Sequence, residues 1–400
     1  MRVNGMIPVT VLVGGKAAVS RRIKGDYSVS KPPRFSELLR PIVFWNITYQ
    51  CNLQCVHCYI KALAKRNPNE LTTEEAKRVA EEIVEIGIPL VVFSGGEPLV
   101  RSDFWEIVEP MAGKQRPKLS LSTNGTLITR DVAEKLASYQ FKYVGISIDS
   151  IKPEWHDRFR GVPGAFEAAV RGIKYVMELG IDVGVRTTLT KYNIEEVPAI
   201  LKWAYDLGIK RVSLYVLDTV GRGAGIADWL PTHEQLRKFA DTIIDEARKY
   251  SGEMEILIVR AQFLGIYIAD KLARSPEDFM KYISLLDAQG NCGRKSISIY
   301  PNGDVKPCQF VDWVTLGNVR RQTLKDILSP ENKELKPFLA IENYLRGPRC
   351  GRCPFRRICG GGSRGRALEL TGDEWGDDPL CFIDFSAIAK KWGIDPNKIL

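Results

Sequence analysis

Three thiols fall within eight residues in the stretch Cys51-Asn-Leu-Gln-Cys55-Val-His-Cys58, directly after the apolar run Pro41-Ile-Val-Phe-Trp-Asn-Ile47. A strand that delivers its C-terminal end into such a loop presents a metal site. Structural zinc and closed iron–sulfur centres take four soft ligands, yet the next cysteine in the chain is Cys292. A cluster held by three thiolates keeps one iron open to a substrate or cofactor. Zinc completed by a distant fourth ligand is the alternative chemistry.

A second group comprises Cys292, Cys308, Cys350, Cys353, Cys359 and Cys381. The total of nine is odd, the spacings are metal-like, and no basic segment leads into a continuous apolar signal. Reduced thiols in a cytoplasmic protein are therefore expected, not a disulfide framework. No run reaches the roughly 18 apolar residues of a membrane span. Hydrophobic (44%) and charged (26%) contents are those of a globular chain, which excludes disordered and fibrous classes. The net charge of +9 reads first as a solvated surface with surplus Lys and Arg, with anionic partners such as nucleic acid or a carboxylate-rich small molecule as the alternative. Basic runs with interleaved aromatics are absent, which argues against nucleic acid as the partner.

The elements that must position the thiols follow from periodicity. Strand candidates are 42–47, 90–93, 119–122, 143–148, 182–188 and 211–217. Amphipathic helices lie between them. Thr72-Thr-Glu-Glu75 is a capping box ahead of an apolar face of Ala76, Val79, Ala80 and Ile83, with Gly87 as the stop. Phe166, Val170, Ile173 and Met177 repeat at helical spacing before Gly180, and 194–207 ends at Gly208. Thr232-His-Glu-Gln235 opens a further helix to about Tyr250. Six βα repeats predict an α/β fold, a partial (β/α)6 TIM-type barrel, followed by a small Cys-rich domain. Near the N-terminus, 9–13 and 17–19 flank Gly14-Gly15 as a small hairpin, and Pro32-Pro33 reads as a hinge. The boundaries are an N-terminal extension (1–40), core (41–235), helical linker (236–288), Cys-rich module (289–385) and tail (386–400).

Functional groups of such barrels gather at the C-terminal ends of the strands. Here those ends carry the three thiols, Ser94-Gly95-Gly96-Glu97-Pro98, Ser122-Thr123-Asn124-Gly125, Ser147-Ile-Asp149, Arg186-Thr-Thr188 and Asp218.

Cys-x-x-x-Cys-x-x-Cys followed by a Gly-Gly-Glu-Pro strand end resembles the radical S-adenosylmethionine (SAM) enzymes. The resemblance implies a [4Fe–4S] cluster on Cys51, Cys55 and Cys58, with SAM chelating the open iron and yielding a 5′-deoxyadenosyl radical. It places Gly95, Gly96 and Glu97 at the methionine amine, Ser147 and Asp149 at the ribose, Arg186 at the methionine carboxylate, and Thr123 and Asn124 along the pocket. His57 stands where the family usually carries an aromatic beside adenine. An ion pair between Asp149 and Arg186 is the bland alternative. Beyond cluster and SAM no side chain is singled out as catalytic; Asp218 and Arg222 are the candidates.

The later cysteines resemble the SPASM extension, which implies auxiliary [4Fe–4S] clusters. Cys350, Cys353, Cys359 and Cys381 would complete one of them. For a second, Cys292 and Cys308 supply two ligands, whereas Ser363 stands where a cysteine is expected. That cluster is either missing or completed by harder ligands, and otherwise the two are plain thiols.

His156-Asp-Arg-Phe-Arg-Gly161, Thr190-Lys-Tyr-Asn193, Gly221-Arg-Gly223 and Pro307-Cys-Gln-Phe310 resemble the enzymes of siroheme-dependent haem and haem d1 synthesis. This implies a tetrapyrrole substrate, with Arg158, Arg160, Arg222, Arg364 and Arg366 as carboxylate clamps, and an electron donor such as ferredoxin or flavodoxin. Maturation of a peptide is the alternative within the family. A non-catalytic iron–sulfur protein that binds RNA is the alternative outside it.

Overall fold

The computed structural model describes residues 6–16, 19–20, 40–286 and 292–395. Strands in chain order are β1 (Met6–Pro8), β2 (Ile42–Asn46), β3 (Leu90–Ser94), β4 (Lys118–Thr123), β5 (Phe141–Ser147) and β6 (Asp182–Leu189). They continue with β7 (Arg211–Val216), β8 (Glu255–Val259), β9 (Ser296–Ile299), β10 (Asp304–Lys306) and β11 (Gly317–Asn318). Two compact units share them, one formed by 21–185 with 292–339, the other by 1–20, 186–291 and 340–400.

In the first unit the strands lie in the order β5-β4-β3-β2-β9-β10-β11. Pairs β2–β3, β3–β4, β4–β5 and β2–β9 are parallel, and β9–β10 and β10–β11 antiparallel. All five residues of Leu90–Ser94 are buried, as befits a central strand covered on both faces. The expected capping box is present: Glu75 N–H donates to Thr72 Oγ1 (3.2 Å) and Thr72 N–H to Glu75 Oε2 (2.9 Å). Ala76, Val79, Ala80 and Ile83 are its buried face, as the periodicity requires. The helix Ala165–Glu178 has the expected period but a different phase: Ala165, Ala169, Gly172, Ile173 and Val176 are buried. Its small residues let it close on the turn after β4, where any side chain at Gly172 would meet Ile128. Shape outweighs apolar bulk there.

The second unit carries the order β1-β8-β7-β6, with β7–β8 parallel and β1–β8 antiparallel. Two expectations are corrected here. The stretch 236–288 is not helical throughout: Glu255–Val259 is a strand between the helices His233–Lys249 and Phe263–Leu272. Glu255 is tethered by Ser20, whose N–H donates to Oε2 (3.0 Å), a partner 235 positions away that no local pattern reveals. Val9–Leu12 is a short helix, not half of a hairpin, because Met6–Pro8 already pairs with β8. Ala17 and the Pro32-Pro33 hinge lie outside the described residues. Among the described residues no helix is long and apolar enough to cross a membrane.

Candidate functional site

The cysteine loop is held before any ligand is considered. Cys51 N–H donates to Leu63 O (2.8 Å), while Gly96 and Glu97 N–H groups donate to Thr48 O and Gln50 O (2.8 Å each). Gly95 has φ +137°, and a Cβ there would lie 2.6 Å from Thr48 O. The Gly-Gly pair is thus required for β3 to press its end against the loop entrance. From the other side, Gln54 N–H donates to Arg160 O (3.0 Å) and Val56 N–H to Phe159 O (3.1 Å). These carbonyls close the helix Pro153–Arg160, which ends at Gly161 in the left-handed region (φ +77°).

Each sulfur meets a donor. Cys51 Sγ accepts from Leu53 N–H (3.3 Å) and Asn124 Nδ2 (3.9 Å), and Cys58 Sγ from Ala62 N–H (3.4 Å). Cys55 Sγ accepts from the Arg160 guanidinium (Nη1, 3.7 Å). Burial pushes the Cys51 thiol up to about 12 and also raises Cys55, against which Arg160 works. Among the described residues no three His, Cys, Asp or Glu side chains form a group that could hold a single metal ion. Zinc needs such convergence, whereas the thiolates of a cuboidal cluster each take a different iron.

Glu97 lies in the same unit, fully buried. Its Oε1 accepts from Thr123 Oγ1 (2.8 Å) and Leu99 N–H (3.3 Å), and its Oε2 from Asn124 N–H (2.8 Å). Burial lifts its carboxyl to about 7, partly opposed by these donors. Thr123, Asn124 and Glu97 are therefore brought together in one hydrogen-bonded group. The Gly96 N–H, by contrast, serves the loop. Ser147 closes β5 half-buried. Asp149 is fully buried and pairs with Arg160 through Nε (2.7 Å) and Nη2 (2.6 Å) to Oδ2. Arg160 is thus no exposed clamp for substrate. His57 stacks on Phe159 (centroids 4.2 Å apart), which stacks on Trp155 (4.8 Å). Arg186 sits on β6, in the other unit.

Sequence reasoning passed over Tyr59 and Gln309. The Tyr59 hydroxyl donates to Asn46 Oδ1 (2.7 Å) and accepts from Gln309 Nε2 (2.9 Å). Both residues directly follow a cysteine, the one signal available. Cys292 and Cys308 are joined as a disulfide, so neither stands as a thiolate donor in this structure.

In the second unit, Cys350, Cys353, Cys359 and Cys381 line one small apolar cavity with Phe263 and Ile266. Cys350 opens the 3-10 turn Cys350–Arg352, and Cys359 closes the helix Arg356–Cys359. Asp377 accepts from Cys350 N–H (2.7 Å) and Arg349 N–H (3.1 Å), while the Arg349 side chain donates to Cys381 O and to Ile383 O (2.6 Å). Burial pushes Cys353 up to about 11 and Cys381 to about 12.

Ser363 does not reach for metal. It caps the helix Arg364–Thr371, donates to Asp218 Oδ2 (2.7 Å) and accepts from Arg260 Nη2 (2.7 Å). Asp218 also pairs with Arg260, so its carboxylate belongs to a buried network. Arg366 grips Asp378 (Nε–Oδ1 3.0 Å, Nη2–Oδ2 2.6 Å), and Arg364 donates to Glu374 O and Gly376 O (2.8 Å each). Both arginines are buried structural groups, which removes them as substrate clamps. Arg158 is exposed and Arg222 half-buried.

Residues 45–204 match the radical SAM superfamily and residues 291–354 the SPASM iron–sulfur cluster-binding domain. The chain is 36% identical to the Fe-coproporphyrin III synthase of Methanosarcina barkeri (strain Fusaro / DSM 804), over 94% of this chain and 98% of that protein. It is 33% identical to the pre-heme d1 synthase of Dinoroseobacter shibae, over 91% and 92% respectively. Streptococcus suis SuiB bound to precursor peptide SuiA superposes with a TM-score of 0.68 at 19% identity, covering 86% of this chain and 76% of SuiB. That likeness shows the fold, an α/β partial barrel of TIM type. Three clustered thiols on a strand-end loop, a Gly-Gly-Glu turn with a buried carboxyl beside them, the two domain matches and identities of 36% and 33% over more than nine-tenths of the chain make it a member of the radical SAM superfamily, a SAM- and [4Fe–4S]-dependent enzyme with a SPASM auxiliary-cluster domain.

Proposed function

We propose that Cys51, Cys55 and Cys58 hold the SAM-binding cluster and that the substrate is a tetrapyrrole whose carboxylate side chains are altered or removed in haem biosynthesis. The observation that carries the substrate class is the identity, over at least 91% of the chain, to two enzymes named for tetrapyrrole products. The donor set suits the cluster: the thiols are soft, each sulfur meets an N–H, and buried thiols need a bound cation to persist as thiolates. When bound, the cluster supplies the electron that cleaves SAM to the hydrogen-abstracting 5′-deoxyadenosyl radical.

Glu97, fixed by Thr123 and Asn124, accepts the methionine ammonium, and Ser147 faces the ribose. Asp149, the other ribose candidate, is instead committed to Arg160. Arg186 pairs with the methionine carboxylate, because a guanidinium fork matches it in geometry. Cys350, Cys353, Cys359 and Cys381 would hold an auxiliary cluster, and a full set of four thiolates suits electron transfer or structure. Of the candidate clamps, the exposed Arg158 and the half-buried Arg222 are the two assigned to substrate carboxylates. A ferredoxin or flavodoxin supplies electrons.

The test is anaerobic incubation with dithionite, SAM and iron porphyrinoids bearing acetate or propionate groups. Formation of 5′-deoxyadenosine and a product mass lower by the lost carboxyl or acetate are expected. Turnover stimulated by peptides and by no tetrapyrrole would sink the substrate assignment and favour a peptide maturase.

A further inference from the structure

The three thiols of the loop differ in electrostatic surroundings. Cys51 and Cys58 accept from neutral donors, namely two backbone N–H groups and the Asn124 amide. Cys55, the most buried of the three, accepts from a guanidinium. That cation is fixed from behind. Asp149 Oδ2 takes both Nε and Nη2 of Arg160, leaving Nη1 for the sulfur. Asp149 is itself held, because its N–H donates to His156 Nδ1 (3.2 Å). Burial pushes His156 down to about 4, which keeps its ring neutral and that nitrogen an acceptor. The last carbonyls of the same helix accept from Gln54 and Val56, on either side of Cys55.

We infer that Arg160, oriented by Asp149, is a positioning residue that sets the reduction potential of the cluster through Cys55. The inference rests on the proposal that this loop holds the cluster. The physical basis is general: hydrogen bonds to the ligating sulfurs and local net charge set iron–sulfur potentials, and a charge-assisted donor is roughly twice as strong as a neutral one. Reduction adds negative charge to the cluster, so a fixed cation at one thiolate favours the reduced state. Asp149 attenuates that cation and prevents it from swinging away. Removing each partner should therefore move the potential in opposite directions, which a purely structural ion pair would not do.

Arg160→Gln, Arg160→Lys and Asp149→Asn are reconstituted with iron and sulfide in the full-length chain. Iron per chain is counted, and the midpoint is read by EPR-monitored redox titration. The cluster concerned is identified as the one whose signal changes on adding SAM. Expected are a more negative midpoint in Arg160→Gln, a smaller negative displacement in Arg160→Lys, and a more positive midpoint in Asp149→Asn. Unchanged midpoints in Arg160→Gln and Asp149→Asn, or iron loss common to all three, overturn the inference in favour of a merely structural pair. If SAM leaves every wild-type signal unaltered, the assignment of the loop fails first, a separate result.

Discussion

The two thiol sites of this protein are built on opposite plans. The three-thiol loop hangs from a strand end and is framed by backbone bonds to Thr48, Gln50, Leu63, Phe159 and Arg160. Its thiols stop at three, and the nearby Glu97 carboxyl is turned toward Thr123 and Asn124. The four-thiol site has no strand in it. Short turns carry its cysteines, and Arg349 and Asp377 hold the separate segments by side-chain to backbone bonds. An incomplete donor set on a rigid frame leaves room for chemistry at the metal. A complete set on short turns makes the metal part of the scaffold.

The sharpest way to break this contrast is to remove one thiol from each site. Cys51→Ala should abolish 5′-deoxyadenosine formation, whereas Cys353→Ala should leave SAM cleavage measurable while product formation falls. About eight irons per chain are expected in the wild type and about four in either variant. SAM cleavage surviving in Cys51→Ala would erase the distinction.

Whether a third centre joins the comparison depends on Cys292 and Cys308. As a disulfide closing a separation of 16 residues, the pair stabilises by about 3 kcal/mol in the chain-entropy view. Cys308→Ser should lower the urea midpoint accordingly and leave iron unchanged. A loss of about four irons would make these residues ligands instead.

Glu97 probes the open site more gently. Glu97→Gln replaces a buried acceptor of three bonds with an amide, at a cost of about 2 kcal/mol, so SAM binding by calorimetry should weaken roughly 30-fold. The carboxyl also sets a pH window. Burial raises it from an ordinary 4.5 to about 7, so the folded state favours its protonated form. Its contribution to stability is complete at low pH and is lost as pH rises through about 7. Affinity for the SAM ammonium runs the other way and increases through the same window. Wild-type affinity that is flat from pH 6 to 8 would remove Glu97 from the SAM site. On the closed site, Arg349→Ala should cost about 1.5 kcal/mol and loosen the Cys381 segment, seen as faster iron loss to a chelator from the four-thiol cluster alone.

Strands β2 to β7 were legible because each is a short run or alternation of apolar and β-branched residues with a polar residue or glycine at its end or within two positions beyond it. Helix caps such as Thr72/Glu75 and Thr232/Gln235 are local, and both appear in the structure. Strand β8 hid because Glu255 looks like a surface residue, and its partners Ser20 and Arg211 are remote in sequence. The thiol spacings announced both sites. The arginines did not announce their roles: Arg160, Arg364 and Arg366 read as clamps, yet each is buried on a carboxylate or on carbonyls. An isolated charge carries no mark of the side from which its counter-charge arrives.

The helix end at Phe159, Arg160 and Gly161 has a consequence for survival under oxygen. Its carbonyls and the Leu63 carbonyl hold the loop through main-chain bonds, restraints that the chain itself supplies. Oxidative loss of the cluster would then strip metal without erasing the template. Recovery of 5′-deoxyadenosine formation on adding iron, sulfide and reductant to the stripped protein, with no refolding step, is the expected outcome.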